Sequence, residues 1–229
     1  MLMISIKNLE IKTFDLNQLE KNSIIVIVGK KYTGKTCLVK KLLHNNTDNN
    51  VTYTIFKGQE SKDDEEWYKL HSTHYNECTP IILDQISKDL YNNNRRINSK
   101  NSYIICDDKF LTFNDRIWQD LFNYNRYYKT TVLASIQSLR ILHHSLRTNI
   151  DYLFIFATSN FNDRKNLFEN YFSHKSSTFA EFCTIMDILE GTFNCLVIRI
   201  EDDLGNCTSL IDYISYYNNN LEIDYIPNR

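Results

Sequence analysis

Glycine and proline are scarce in this sequence, 5 and 2 among 229 residues. No stretch reads as a Gly- or Pro-rich linker and no internal repeat is found, so residues 1–229 are expected to form a single domain. No apolar run approaches the ~18 residues that a membrane-spanning helix needs. The N-terminus lacks the charged-then-apolar pattern of a secretory leader, so the protein is expected to stay where it is made. The six cysteines, at positions 37, 78, 106, 183, 195 and 207, form no C-x-x-C pair, which argues against structural zinc. Cys37 and Cys106 are expected to be small buried thiols in a reducing compartment. Basic residues are not in excess: 26 Lys and Arg face 28 Asp and Glu, a net charge of −2. A protein whose whole surface binds DNA is usually basic, so any nucleic-acid contact here is local or supplied by several copies in a ring. What abounds is Asn, Ile, Lys and Tyr, the usage of an AT-rich genome. Asn-rich patches such as 45–50 and 218–220 therefore need no functional explanation.

Two of the few glycines fall in one motif. Gly29-Lys30-Lys31-Tyr32-Thr33-Gly34-Lys35-Thr36 fits G-x-x-x-x-G-K-[ST], the phosphate-binding P-loop. Glycines let the loop curl so that backbone N–H groups face a polyphosphate. Lys35 is expected to reach the β- and γ-phosphates, and the Thr36 hydroxyl to hold Mg²⁺. The helix that follows, with Cys37 in its first turn, offers its positive end to the anion. The flanks agree. Ser23 to Val28 is an apolar, β-branched run of the kind that forms a buried parallel strand. Downstream, Leu38, Val39, Leu42 and Leu43 recur at helical spacing.

A second acid-bearing strand is expected at Ser102-Tyr103-Ile104-Ile105-Cys106-Asp107-Asp108. Ligands of open α/β sheets gather at strand carboxyl ends, so Asp107 suits Mg²⁺ and Asp108 an attacking water. Another strand is expected over Thr130 to Gln137, ending at the glutamine, where an amide can bond both the water and the γ-phosphate. Arg126 and Arg147 flank that strand and are candidates for a residue that acts on a neighbouring copy's phosphate. Further strands are expected in residues 1–22, at Val51 to Phe56, Asp151 to Phe156, Cys195 to Ile200 and Thr208 to Tyr213. The last two are expected to be joined by a turn at Asp203 to Asn206. Helices are expected at Ile81 to Asn92, Phe113 to Tyr127, Leu139 to Leu146, Asp163 to Phe172 and Phe179 to Leu189. The stretch Glu60 to Glu66 reads as a solvated helix face. Arg95, Arg96 and Lys100 lie in a polar loop. Strands alternating with helices predict an α/β fold with a mostly parallel, doubly wound sheet.

These residues together resemble the HerA/FtsK superfamily of DNA-pumping ATPases, and within it the poxvirus-type packaging ATPases of large DNA viruses and virophages. The resemblance spans residues 23–160. It rests on the P-loop, the acid-ended strand Tyr103 to Asp108, Arg126 eleven positions before Gln137, and Arg147-Thr148-Asn149-Ile150-Asp151 leading into Tyr152 to Phe156. The resemblance implies a P-loop NTPase of RecA-like build, a mostly parallel central sheet with helices on both faces. It also implies ATP and Mg²⁺ as cofactors, a homo-oligomeric ring (often a hexamer), double-stranded DNA as the cargo and capsid or portal-vertex proteins as partners. The site of action would be the host cytoplasm where virus assembles, with association to the virion. Cellular relatives carry Asp-Glu where this chain has Asp107-Asp108. Residues 1–22 would be a strand extension, and residues 161–229, C-terminal helices and a strand pair, match no motif.

Other P-loop readings are a nucleotide kinase, a GTPase-like switch or a nucleotide-binding assembly scaffold. No N/T-K-x-D guanine motif is present, and Asp202-Asp203-Leu204-Gly205 reads as a hairpin turn. Asn94 to Lys100 makes a poor kinase lid. His71 and His74 lack a third ligand nearby in sequence, and His143-His144 is a candidate DNA or subunit contact.

Overall fold

The computed structural model describes residues 4–6, 9–44, 51–57, 72–75, 78–96, 100–107, 116–173, 178–200 and 214–217. Asp108, the acidic stretch Glu60 to Glu66, His71 and the turn Asp203 to Asn206 lie outside these residues. The chain divides into two compact units, Met1–Gln18 with Gly29–Asn46 and Phe154–Arg229, and Leu19–Val28 with Thr47–Leu153.

The second unit holds five parallel strands: β3 (Ile24–Val28), β4 (Val51–Lys57), β5 (Ser72–Tyr75), β6 (Asn101–Asp107) and β7 (Thr130–Ile136). They lie in the order β3-β7-β6-β4-β5. All of β3 and β7 is buried, which is why both read as unbroken apolar runs rather than alternating ones. Helix α2 (Pro80–Asn94) starts where Thr79 accepts the Ile82 N–H and Pro80 opens the first turn. It buries Leu83, Ile86 and Leu90, a single helical stripe. Helix α3 (Arg116–Tyr124) buries Trp118, Leu121 and Phe122. Trp118 meets Phe56 of β4 edge-on, with centroids 6.4 Å apart.

The first unit holds α1 (Lys35–His44), α4 (Phe161–Tyr171), α5 (Phe179–Leu189) and the strands β1 (Ile4–Ile6), β2 (Leu9–Thr13), β9 (Cys195–Arg199) and β10 (Ile214–Tyr217). β1 and β2 pair antiparallel, β2 and β10 parallel, and β10 and β9 antiparallel. Phe172 and Phe182 pack with centroids 4.6 Å apart, and Arg164 of α4 pairs with Asp187 of α5 at 2.7 Å. Strand β8 (Tyr152–Phe156), buried throughout, passes from one unit into the other.

Three expectations need correction. Leu139 to Leu146 is not one helix. Leu139–Ile141 forms a 3₁₀ turn, Leu142 is extended, and His144–Arg147 makes a single helical turn. Ser138 and His143 cap these pieces with their side chains, and such short segments cannot offset the cost of helix nucleation. The strand that pairs with β9 is Ile214–Tyr217, whereas the expected segment, Thr208 to Tyr213, lies outside the described residues. Cys37 is exposed, while Cys106 is buried as expected. The inward stripe of α1 is taken by Leu38, Val39, Leu42 and Leu43, leaving position 37 on the outer face.

Candidate functional site

The P-loop is cinched around one backbone carbonyl. The Lys30 oxygen accepts the Thr33 hydroxyl and the Lys35 ammonium, each at 2.9 Å. Lys35 is buried although it carries a charge, so its amine is held at the loop and not in solvent. Tyr32, at φ 64°, and Gly34, at φ 100°, take the left-handed conformation that closes the curl. Gly29 is packed so closely that a Cβ there would lie 2.6 Å from Thr33 Oγ1 and 2.8 Å from Phe156 Cβ. Lys30 reaches across to donate to the Ser159 hydroxyl at 3.1 Å. Lys31, Thr36 and Cys37 are exposed. Three ammonium groups and the N-terminus of α1, whose first N–H groups have no intrahelical acceptors, thus share one short segment. That arrangement binds anions.

The other candidates lie in the second unit. Asp107 is the last residue of β6. Its backbone stands in register with Ser135 of β7, and Ser135 with Ile27 of β3. Gln137, exposed just past the end of β7, therefore stands at the same carboxyl edge of the sheet as Asp107. β3 ends on this edge too, and from Val28 the chain runs directly into Gly29. Ser135 is fully buried, and its hydroxyl has no hydrogen-bond partner.

Arg126 and Arg147 sit elsewhere. Arg126 precedes β7 and Gln137 follows it, so the full strand, roughly 20 Å at 3.3 Å per residue, separates them. Arg126 pairs with Asp151 at 2.7 Å. The other Asp151 oxygen accepts the Ile24 N–H at 2.6 Å, and the Asp151 N–H donates back to the Ile24 carbonyl at 3.0 Å. Burial pushes the Asp151 carboxyl above its usual range, against the pull of the Ile24 N–H and the Arg126 guanidinium. Arg147 donates from Nε to the Leu142 carbonyl at 3.0 Å. His143 caps the turn that carries Arg147.

Three contributors could not be singled out from the sequence. Phe156 walls Gly29, Ser159 receives Lys30, and the nearly buried Asn125 braces the turn into β7 by donating to the Asn22 carbonyl. The only sequence signal for Ser159 is its place just past an apolar strand. Among the described residues no cluster of three His, Cys, Asp or Glu side chains is placed to hold a metal on its own. No described helix is long and apolar enough to cross a membrane.

No protein-family model matches the chain. Its sequence is similar to virus proteins, among them two of invertebrate iridescent viruses. Uncharacterized protein 088R of Invertebrate iridescent virus 3 is 27% identical over 215 residues, covering 83% of this chain and 78% of that one. Uncharacterized protein 075L of Invertebrate iridescent virus 6 is 28% identical over 209 residues, covering 82% and 78%. The structure is similar to B204, the DNA-packaging ATPase of Sulfolobus Turreted Icosahedral Virus, with a TM-score of 0.62 at 16% identity over 80% of this chain and 94% of that one. It is also similar to the genome packaging NTPase B204 of Sulfolobus turreted icosahedral virus 2 in complex with AMPPCP, with a TM-score of 0.59 at 16% identity over 78% and 92%. A third similar structure is EssC (ATPases 2 and 3) of Geobacillus thermodenitrificans, with a TM-score of 0.57 at 12% identity over 89% of this chain and 41% of that one. Parallel strands, a curled Gly29–Thr36 loop and these neighbours together establish the fold: the chain is a mixed α/β protein with the P-loop NTPase fold.

Proposed function

We propose that this protein is an ATP-hydrolysing motor that drives double-stranded DNA into a viral capsid. The observation that carries the reading is the P-loop geometry: a buried Lys35 ammonium on the Lys30 carbonyl, at the mouth of a helix, in a loop closed by Gly29 and Gly34. A triphosphate suits this cradle, because backbone N–H groups and lysines meet spread negative charge there. Lys35 contacts the β- and γ-phosphates. Residues Gly29 to Cys37 wrap the phosphate chain. Mg²⁺ needs only one or two protein oxygens beside the phosphates, and Thr36 and Asp107 supply them. When bound, the ion neutralises charge on the phosphate oxygens.

Asp108 orients and deprotonates the attacking water. Gln137 bonds that water and the γ-phosphate, so its contacts differ before and after hydrolysis. Arg126 or Arg147 reaches the γ-phosphate of a neighbouring copy, which makes a homo-oligomeric ring part of the mechanism. The capsid or its portal vertex anchors that ring in the host cytoplasm where virions assemble. Support for the packaging role comes from the likeness to B204 and to iridescent-virus proteins.

The test is phosphate release by the purified chain with and without double-stranded DNA. Release is expected to rise several-fold with DNA and to vanish in Lys35→Ala. A rate indifferent to DNA across a range of salt would sink the motor reading, and GTP or dTMP bound in preference to ATP would point to a different P-loop enzyme.

A further inference from the structure

The amino ends of β6 and β7 carry a surface unlike the rest of this mildly acidic chain. Three segments of one unit meet there. Asn93, in the last turn of α2, donates to the Lys100 carbonyl at 2.9 Å, and its side-chain oxygen accepts the Lys100 N–H at 3.4 Å. Two residues on, Ser102 donates to the Lys129 carbonyl at 2.9 Å. Arg95, Arg96, Lys100 and Lys129, all exposed, therefore gather on one edge. Tyrosines stand between them. The Arg95 guanidinium lies 4.8 Å over the Tyr91 ring, and Tyr127, 55% exposed, packs edge-on against Tyr128.

We propose that this edge grips the phosphate backbone of double-stranded DNA. The assignment rests on the packaging role argued above and adds the surface that holds the cargo. Helix dipoles explain part of the charge, since Arg95 and Arg96 follow the carboxyl end of α2. They do not explain Lys100 or Lys129. Lys129 has φ 51°, a conformation that suits glycine or asparagine and is here occupied by a lysine. The turn that holds it is fixed from below by the buried Asn125, whose amide donates to the Asn22 and Thr130 carbonyls. That fixed turn carries the exposed Lys129 side chain on this edge.

Among the described acids of this unit, Asp151 is paired with Arg126 and Asp89 accepts from Gln85. Cations interleaved with hydroxyl-bearing rings match a sugar-phosphate backbone, which takes hydrogen bonds from Arg, Lys and Tyr without reading sequence. The edge lies at the opposite end of β6 from Asp107, about 20 Å along the strand, so DNA would not compete with nucleotide.

The experiment uses the full chain with AMPPCP and a fluorescent 30-base-pair duplex, with affinity read by anisotropy as salt is varied. The variant combines Arg95→Gln, Arg96→Gln, Lys100→Gln and Lys129→Asn, the last chosen because asparagine tolerates the turn. Each phosphate contact contributes about 0.9 to the salt slope, so the slope is expected to become shallower by about 3 to 4 and the affinity to fall more than about tenfold, equally for unrelated sequences. ATP hydrolysis without DNA should stay at the wild-type rate. A control lacking Lys88 and Lys165 should bind as the wild type does. If the fourfold variant fails to fold, Lys100→Glu alone carries the test, with a shallower slope expected. Wild-type slope and affinity in a folded variant overturn the assignment and leave the motor reading standing; such an edge would serve a protein partner. A wild-type chain that neither binds DNA nor responds to it overturns both.

Discussion

Gly29 and Asp151 show how single positions tie chemistry to the frame. A methyl group at Gly29 would press on Phe156 Cβ at 2.8 Å, and a Cβ cannot swing aside as the Thr33 hydroxyl can. Overpacking of this kind costs about 1–3 kcal/mol. Gly29→Ala should therefore lower the urea midpoint, and it should weaken binding of a fluorescent ATP analogue by more than about tenfold because the loop must shift. Normal affinity in the folded variant would show that the loop tolerates the displacement. Asp151 works by charge and not by shape. Its folded-state carboxyl holds its proton to higher pH than the ordinary value of 3.8. An acid raised on folding contributes most below the unfolded value, and that contribution is lost as pH rises from 3.8 through the raised value. Asp151→Asn cannot ionise, so its stability relative to the wild type should improve as pH climbs through that window. Urea unfolding at successive pH values from 3.5 to 6 measures this, and a difference that moves the opposite way excludes the burial argument.

Elements were legible where one physical demand dominated. β3, β7 and β8 are buried throughout and β6 at Ile104 to Cys106, so β-branched and aromatic runs announced them. Helix α5 carries its own start signal. Thr178 accepts the Glu181 N–H at 3.2 Å while Glu181 accepts the Thr178 N–H at 2.8 Å, a reciprocal capping box visible in the sequence as T-x-x-E. Thr178→Ala should cost about 1 kcal/mol, seen as a lower thermal midpoint with unchanged nucleotide affinity. A drop in nucleotide affinity would mean that α5 supports the P-loop directly. What stayed illegible depends on register or on distant pairing. That Asp107 and Gln137 share one edge of the sheet follows from Asp107 standing opposite Ser135, and no local pattern sets the pairing of strands so far apart in sequence. The unpartnered Ser135 hydroxyl and the Lys30–Ser159 contact were hidden for the same reason. His143, a candidate contact residue, also caps a one-turn helix, a duty for which a histidine carries no signal in sequence.

At the scale of the whole molecule, the placement of Arg126 bears on how many chains a working site needs. Within one chain, Arg126 and Gln137 stand at opposite ends of β7. A residue so placed cannot meet a phosphate that Gln137 of the same chain would touch, so any role of Arg126 in hydrolysis would be played toward another copy. The ion pair with Asp151 does not forbid this. The Arg126 side chain is 66% exposed although that of Asp151 is 20% exposed, so the guanidinium is open to a neighbour's γ-phosphate, whose charge and oxygens suit a forked donor. Arg126→Ala alone should hydrolyse ATP at least about 10³-fold more slowly than wild type when assembled on DNA, while still binding nucleotide. Lys35→Ala should be inactive for the opposite reason: it lacks the phosphate grip but keeps its arginine. Mixed in equal amounts, the two dead chains should recover activity. Random assembly places an intact Lys35 site beside an intact Arg126 at about one interface in four, so about a quarter of the wild-type rate is expected if each interface works alone. A melting curve for Arg126→Ala separates loss of the Asp151 contact from loss of catalysis, and Arg126→Lys, which can keep the ion pair but not the forked donor set, should fold normally and remain slow. Persistent inactivity of the mixture, with both chains folded and assembled, would remove the arginine from its proposed role in trans and return Arg126 to a purely structural tie between β7 and the start of β3.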